Sequence, residues 1–180
     1  KMACFGYFWS SRTQKYATVD WDGGKVLQIP KFALEVVTKI LNLPDCQRFG
    51  HMTPDVMIVN IYDRNGKLGM HRDKNESTAA LIHGIPVVSI SIGCTMEFHY
   101  TQGTTTYKIE LTSGDVLIWG LDDRDLVHGV RNFQPCTYPT ELSSLIQNSI
   151  FAGEKNPFRV NLTFRQRYLH KKMKPTDTLP

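Results

Sequence analysis

The seven-residue stretch RVNLTFR, from Arg159 to Arg165, decides the interpretation of the fold. Successive side chains of a β-strand point to opposite faces of a sheet, so this stretch separates an apolar face from a polar one. The apolar face must pack against the protein core. The polar face must therefore be in contact with water or line a cavity. The apolar face consists of Val160, Leu162 and Phe164, and the polar face of Arg159, Asn161, Thr163 and Arg165.

Two arginines on one strand face suit an anionic ligand, because a guanidinium can bind a carboxylate with two parallel hydrogen bonds. At about 3.3 Å per residue, the Cα atoms of Arg159 and Arg165 would lie about 20 Å apart. The two arginines cannot bind one carboxylate together, but they could hold the two ends of a short dicarboxylate. From the strand alone, an exposed edge strand with both arginines in water is an equally good interpretation.

Other stretches predict an all-β core behind a helix. Residues 30–44, PKFALEVVTKILNLP, place apolar residues at helical spacing between two prolines. A sequence of 180 residues is long enough for one domain with a proper core. We expect a mainly β protein with flanking α-helix, in a β-sandwich or jelly roll. The predicted strands, rich in β-branched and aromatic residues, are DVMIVNIY, PVVSISIG, MEFHY, TTYKIEL, GDVLIWG and FRVNLTFRQR.

Two stretches do not fit this strand pattern. Residues 73–85 form a polar stretch for which we expect a loop with one helical turn. Residues 131–157 predict a long connection with a short helix from Glu141 to Asn148.

Composition limits the class of protein. Hydrophobic residues make up 41% of the chain and charged residues 21%, which is typical of soluble globular proteins. The four cysteines are scattered, which argues against a zinc ribbon and favours a reducing compartment. We expect an intracellular protein of the nucleus or cytoplasm that does not bind a membrane. An organelle is also possible if a leader precedes Lys1 in a longer chain. The net charge of +4 permits a nucleic-acid partner without implying one.

The loop KLGMHRDKNES, residues 67–77, carries a candidate metal site. In an extended segment His71 and Asp73 point the same way, with Cα atoms about 6.6 Å apart. His128 follows the strand GDVLIWG, which would return the chain to the same end of a barrel. Two histidines and one carboxylate with open positions are the ligand set of non-haem Fe(II) oxygenases. The remaining histidines are interpreted as ordinary surface or core residues.

Five stretches resemble, in family order, the AlkB-like Fe(II)/2-oxoglutarate dioxygenases: VNIYDRNGKLGMHRDK, PVVSISIG, SGDVLIWG, HGV and RVNLTFRQ. The resemblance implies a double-stranded β-helix, which is one form of jelly roll. It also implies demethylation of nucleic-acid bases with Fe(II), 2-oxoglutarate and O₂, releasing formaldehyde, succinate and CO₂. We expect one domain with a nucleotide-recognition segment and supporting helix (1–54), a catalytic core (55–167) and a basic tail (168–180).

The resemblance also assigns site residues by position. His71, Asp73 and His128 look like the iron ligands and so form the expected catalytic centre. Arg159 resembles the arginine that pairs with the distal carboxylate of 2-oxoglutarate, with Tyr62 and Asn161 beside it. Asn60 and Arg165 resemble residues near its C1 end. The expected substrate contacts are Trp9, Arg12, Tyr16, Asn75 and Trp119, with packing onto the core as the alternative for Trp9, Tyr16 and Trp119.

Asn75 is the one departure from the family pattern. Bacterial members often read H-x-D-x-D-E, and Asn75 stands where they have the second acid. An amide donates and accepts hydrogen bonds without charge, so a preference for cationic bases does not follow. The expected partner is alkylated DNA or RNA, single-stranded or with a flipped base, bound by a monomer. The alternatives are an oxygenase acting on a protein side chain or a tRNA modification, and a catalytically silent nucleic-acid-binding domain.

Overall fold

The computed structural model describes residues 1–147 and 159–169. Its fold consists of two antiparallel sheets and a small β-hairpin. The helices are α1 (Lys31–Leu41), α2 (Thr78–Ile82) and α3 (Leu142–Gln147), with 3-10 turns at Pro44–Phe49 and Leu121–Asp125. The strands are β1 (Met2–Phe5), β2 (Phe8–Ser10), β3 (Lys15–Ala17), β4 (Val56–Tyr62), β5 (Leu68–His71), β6 (Val87–Gly93), β7 (Thr95–Gln102), β8 (Thr105–Leu111), β9 (Val116–Trp119), β10 (Val127–Gln134) and β11 (Arg159–Arg165).

Strand order places β11 in the interior of the larger sheet. That sheet has the order β1-β4-β11-β6-β9, and the smaller sheet has the order β5-β10-β7-β8. β11 pairs with β4 on one side and with β6 on the other. The alternative of an exposed edge strand is therefore wrong, and the predicted jelly-roll class is confirmed. Among the described residues, no helix is long and apolar enough to span a bilayer.

The apolar face of β11 packs against α1. The helix begins after Pro30, and its residues Ala33, Val37 and Leu41 are buried at a spacing of four. They form one core cluster with the fully buried Phe164 and with residues of β4 and β6. Because this face is taken by the helix, the polar face of β11 points between the two sheets.

Four strand regions were not predicted from the sequence, namely β1, the β2–β3 hairpin, β5 and β10. β1 pairs with β4 at the edge of the larger sheet, β2 pairs with β3, and β5 pairs with β10 in the smaller sheet. The expected connection at 131–157 is wrong at its start, because residues 131–134 complete β10. α3 lies within the predicted helix, and α2 supplies the predicted helical turn. Residues 148–158 and most of the basic tail (170–180) lie outside the described residues.

A polar network covers part of the outer face of the smaller sheet. Glu97 on β7 accepts hydrogen bonds from Lys108 Nζ at 2.7 Å and from Asn132 Nδ2 at 2.7 Å, and His99 Nε2 lies 2.8 Å from the same carboxylate. Lys108, Asn132 and His99, in that order, hold the pKa of Glu97 at about 2. The network ties β10 to β7 and β8 on the side away from the space between the sheets.

We expect Glu97→Gln to remove part of the acid sensitivity of the fold. A carboxyl whose pKa is lower in the folded state contributes stability above its ordinary pKa, and loses that contribution as the pH falls toward its folded pKa. For Glu97 this window runs from its ordinary pKa of 4.5 down to about 2. Urea unfolding at about pH 6 and about pH 3 measures it. Glu110→Gln is the matched control, and equal acid losses in the parent and Glu97→Gln would contradict the prediction.

Candidate active site

A polar cleft lies between the two sheets, lined by both. The larger sheet contributes the polar face of β11 together with side chains of β4, β6 and β9. The smaller sheet contributes side chains of β5, β7, β8 and β10, and the loop after β5 contributes Asp73. The lining residues are Asn60, Tyr62, Leu68, His71, Asp73, Ser89, Phe98, Leu111, Trp119, His128, Gly129, Val130, Arg159, Asn161, Thr163 and Arg165.

His71, Asp73 and His128 come together at one end of this cleft. His71 closes β5 and is the cross-strand partner of His128 near the start of β10. One candidate ligand atom from each of the three residues lies within 4.8 Å of the others. His71 Nε2 is 3.5 Å from Asp73 Oδ1, and His128 Nε2 is 3.9 Å from Asp73 Oδ2. The pairing of β5 with β10 needs Gly129, since a Cβ there would lie 2.7 Å from the Leu68 carbonyl oxygen.

Backbone carbonyls fix which nitrogen each histidine turns to the cleft. His71 Nδ1 lies 2.9 Å from the Gly69 carbonyl, and His128 Nδ1 lies 3.0 Å from the Leu126 carbonyl. Because each Nδ1–H donates to a carbonyl, each Nε2 keeps its lone pair for a metal. Burial lowers the pKa of His128, which favours the neutral form that a metal needs. Without a metal, the Asp73 carboxylate beside Nε2 favours a proton on that nitrogen and raises the pKa of His71, so a metal would have to displace this proton.

The carboxylate of Asp73 completes a cation-binding set. Burial acts to raise the pKa of Asp73, but Arg165 and the two histidines outweigh it and lower that pKa well below its ordinary value. Arg165 Nη2 donates to Asp73 Oδ1 at 2.6 Å, whereas Asp73 Oδ2 is buried without a partner among the described residues. An ionised carboxylate oxygen without a hydrogen-bond partner, beside two imidazole nitrogens, fits the binding of Fe(II).

Arg159 lies at the other end of the strand face and is only 1% exposed. Its Nη1 donates to the carbonyls of Cys94 at 2.9 Å and Leu111 at 2.7 Å, and its Nη2 donates to Ser91 Oγ. Burial lowers the pKa of Arg159 to about 10, so the guanidinium stays charged at neutral pH. Its Nε has no hydrogen-bond partner, and no carboxylate in the described part of the chain pairs with it. A buried cation that forms no ion pair among the described residues fits a ligand carboxylate.

The remaining expected cosubstrate residues follow the strand register. Tyr62 lies opposite Arg159, as expected, whereas Asn60 lies opposite Asn161 in mid-strand. Asn60 and Arg165 both line the cleft, although Val56 rather than Asn60 is the cross-strand partner of Arg165, so their expected place near the C1 end of 2-oxoglutarate stays a prediction. Asn161 Nδ2 donates to Ser89 Oγ at 2.7 Å, and its Oδ1 accepts from Thr163 at 2.8 Å. Asn161 therefore orders the polar side chains in the middle of the cleft.

The β2–β3 hairpin lies on the Asp73 side of the site. Trp9 and Tyr16 are cross-strand partners, and their ring centroids are 5.2 Å apart. The Tyr16 hydroxyl donates to Glu76 at 2.7 Å and accepts from Arg165 at 3.3 Å. Asn75 Nδ2 donates to the carbonyl of Gln14 in the hairpin turn at 3.0 Å. Tyr16 and Asn75 therefore have structural partners, whatever their contact with a substrate.

Arg12 and Trp119 have contrasting positions. Arg12 is exposed and lies over Trp21, with its guanidinium carbon 6.0 Å from the ring centroid. The ring nearest to Arg12 is thus that of Trp21, and its expected role as a substrate contact stays a prediction. Trp119 lines the cleft, with its ring centroid 4.9 Å from that of His128, and its buried Nε1 has no partner among the described residues. Trp119 therefore offers a hydrogen-bond donor at the site as well as packing.

Sequence reasoning missed Glu76 and Arg124, which support the metal ligands from behind. Arg124 is buried and donates to Glu76 at 2.9 Å, to the Asp73 carbonyl at 2.6 Å and to the Ile85 carbonyl at 2.8 Å. Glu76 also accepts the hydrogen bond from Tyr16. The local sequence LDDRD around Arg124 is typical of a surface turn, so no local signal identifies its role.

Comparisons with known proteins agree with this geometry. The family model described as the 2OG-Fe(II) oxygenase superfamily matches residues 1–165. The DNA N(6)-methyladenine demethylase ALKBH1C of Arabidopsis thaliana is 37% identical over 182 residues, covering 92% of this chain and 38% of that protein. The Arabidopsis ALKBH1D is 34% identical, covering 92% of this chain and 39% of that protein. The chain therefore spans about two-fifths of the length of these relatives.

A solved structure of similar sequence shares the fold of this chain. The structure of OsALKBH1 superposes with a TM-score of 0.72 at 34% sequence identity, covering 92% of this chain and 77% of that one. The match of the family model to nearly the whole described chain is sufficient to assign the family. The chain belongs to the 2OG-Fe(II) oxygenase superfamily, within its AlkB-like group.

Proposed function

We propose that this chain is an Fe(II)- and 2-oxoglutarate-dependent dioxygenase that demethylates N-methylated bases of DNA or RNA. In the overall reaction one oxygen atom of O₂ enters succinate as 2-oxoglutarate loses CO₂. The other oxidises the N-methyl group, which leaves as formaldehyde. Bound iron and 2-oxoglutarate supply the oxidising chemistry, and the chain supplies orientation and binding.

One observation carries the proposal. In the described part of the chain, four buried side-chain atoms lack a hydrogen-bond partner, and all four belong to residues that line the same cleft. Buried polar groups without partners are costly, so their concentration in one place indicates ligands that satisfy them. The atoms are Asp73 Oδ2, Trp119 Nε1, Arg159 Nε and Arg165 Nε.

In this proposal one end of the cleft binds the metal and the other end binds 2-oxoglutarate. His71, Asp73 and His128 would hold the metal through two imidazole nitrogens and a carboxylate. Arg159 would bind one carboxylate of 2-oxoglutarate at the other end of the cleft. Arg165 holds Asp73 in place and contributes positive charge beside the metal ligands.

The substrate class rests on relatives and on the hairpin. Two of the relatives bear the name DNA N(6)-methyladenine demethylase, so N6-methyladenine in DNA is the first base to test. Trp9 and Tyr16 offer ring faces for an unstacked nucleotide beside the metal ligands. Because the metal ligands lie between two sheets, the base must reach them single-stranded or flipped.

The test is methyl-group removal from defined oligonucleotides. The protein is incubated with Fe(II), 2-oxoglutarate and single-stranded or duplex DNA or RNA carrying N6-methyladenine or 1-methyladenine. Formaldehyde, succinate and the unmethylated base are then measured together. Equimolar formation of all three supports the proposal, with Asp73→Ala as the background. Succinate formation without loss of a methyl group from any oligonucleotide would favour another substrate class.

We expect Trp9→Ala to weaken the binding of methylated single-stranded oligonucleotides by about fivefold or more. Base stacking on an aromatic ring contributes about 1–3 kcal/mol, and the ring of Trp9 lies beside Tyr16 on the side facing the site. Trp21→Ala is the matched control, because Trp21 packs on Phe8, whose side chain points away from that of Trp9. Fluorescence anisotropy at stated salt measures the affinity. Equal losses in both variants would assign Trp9 to packing.

A further inference from the structure

A basic groove lies next to the active-site cleft, on the side of β5. It is formed between residues 64–70 and residues 130–133, with a volume of about 640 Å³. Leu68 and Val130 line both the groove and the cleft, so the two spaces share a wall. A chain-like ligand with one unit in the cleft could therefore continue into the groove.

Three cations border this groove. Arg64, Lys67 and Arg131 are exposed, and none of them forms an ion pair or side-chain hydrogen bond within residues 1–147 and 159–169. The acidic residue nearest in sequence, Asp63, caps its own turn by accepting a hydrogen bond from the Asn65 backbone at 3.0 Å. The groove therefore presents positive charge that the described chain leaves uncompensated.

An irregularity in β10 shapes the wall that carries Arg131. The pairing of β10 with β7 shifts register between Arg131 and Gln134, and Asn132 has a φ of 57°, in the left-handed region. The Asn132 side chain is anchored to Glu97 at 2.7 Å on the outer face of the sheet. Such a bulge re-aims neighbouring side chains, and here both Arg131 and the half-buried Phe133 line the groove.

We infer that this groove binds the backbone of the single-stranded nucleic acid whose methylated base enters the cleft. Arg64, Lys67 and Arg131 contact successive phosphates, and Phe133 stacks against a base next to the modified one. The combination of a cationic track with an aromatic ring is the usual way in which proteins bind single strands. This inference rests on the proposed function and adds the path of the strand outside the catalytic cleft.

The test is the binding of unmodified single-stranded oligonucleotides, without iron or 2-oxoglutarate. The variant Arg64→Gln/Lys67→Gln/Arg131→Gln is compared with a control in which the exposed Lys25, Lys31 and Lys39 become glutamine. Both variants lower the net charge from +4 to +1, since 4 − 3 = 1. The groove variant should bind at least about tenfold more weakly, and its log–log salt slope should fall by about 2. The control should keep both values close to those of the parent.

Phe133→Ala tests the stacking part separately. It should weaken binding of an oligothymidylate by about fivefold and leave binding of an abasic oligonucleotide unchanged. Equal binding by the groove variant and the control would overturn the inference. Tighter binding of poly-glutamate than of oligonucleotides, lost in the groove variant, would overturn it in favour of an acidic protein partner.

The outcomes separate this inference from the proposed function. Groove-dependent binding with no demethylation of any oligonucleotide would overturn the proposed function and keep the binding surface. Demethylation with groove-independent binding would keep the proposed function and overturn the binding surface. Circular dichroism melting of each variant verifies that the fold is intact in every comparison.

Discussion

Alanine at His71, Asp73 or His128 is expected to abolish iron-dependent conversion of 2-oxoglutarate to succinate. Each change removes one of the three ligand atoms that lie within 4.8 Å of one another. Loss of an outer partner of a metal ligand costs about 10–100-fold in metal affinity or activity, so loss of a ligand itself should cost more than about 100-fold. Iron content after anaerobic loading and succinate formation measure the two parts of this effect.

His51→Ala is the matched control for the two histidine variants. His51 is exposed and lies 3.1 Å from Thr53, on the α1 side of the molecule rather than in the cleft. It should keep the iron content and activity of the parent. Near-normal activity with unchanged iron in His128→Ala would show that the third ligand is misassigned.

Asp73→Ala should also destabilise the fold, unlike the histidine variants. The side chain of Arg165 is only 10% exposed, and its closest carboxylate is that of Asp73 at 2.6 Å, followed by Glu76 at 3.6 Å. Breaking a buried ion pair costs about 3–5 kcal/mol when the other charge is left uncompensated, and the remaining contact of Arg165 with Glu76 should reduce that cost here. Urea unfolding of the metal-free protein measures this cost, and the milder Asp73→Asn keeps the side-chain shape for comparison.

Arg159→Ala is expected to raise the Michaelis constant for 2-oxoglutarate by at least about 100-fold, on the scale of a broken buried ion pair. The change removes the buried guanidinium that we assign to the distal carboxylate. It also leaves the Cys94 and Leu111 carbonyls and Ser91 without their donor, so some stability should be lost as well. Succinate formation at varied 2-oxoglutarate concentration measures the constant.

Arg159→Lys separates the loss of charge from the loss of geometry. Lysine keeps the positive charge but cannot form two parallel hydrogen bonds to a carboxylate. The Michaelis constant of Arg159→Lys should therefore lie between those of the parent and Arg159→Ala. Unchanged constants in both variants would remove Arg159 from the cosubstrate site.

The features predicted correctly from the sequence are those that depend on residues close together in the chain. The alternation in β11 predicted its two faces, and the spacing of His71 and Asp73 predicted a shared site. The position of α1 followed from apolar spacing between two prolines. These signals lie within a few residues of one another, where the period of the element relates sequence directly to geometry.

The remaining features depend on contacts between residues far apart in the chain. Arg124 acquires its role from Glu76, 48 residues away, and Tyr16 from Arg165, 149 residues away. Arg12 lies between Trp9 and Tyr16 in sequence, but that order does not give its position in space. The hairpin instead pairs Trp9 directly with Tyr16 and leaves Arg12 in the turn. Strands β1 and β5 are short and depend on pairing with neighbours rather than on propensity.

The central place of β11 also bears on how this chain can change in length. Its odd and even positions serve different surfaces, one against α1 and one in the cleft. Deleting a single residue inside the strand would exchange these surfaces for the residues on one side of the deletion, turning an arginine toward the helix and aliphatic side chains toward the cleft. Substitution can alter either surface alone, whereas a one-residue deletion damages both at once. We therefore expect insertions and deletions among homologues to occur in the loops between strands rather than within β11.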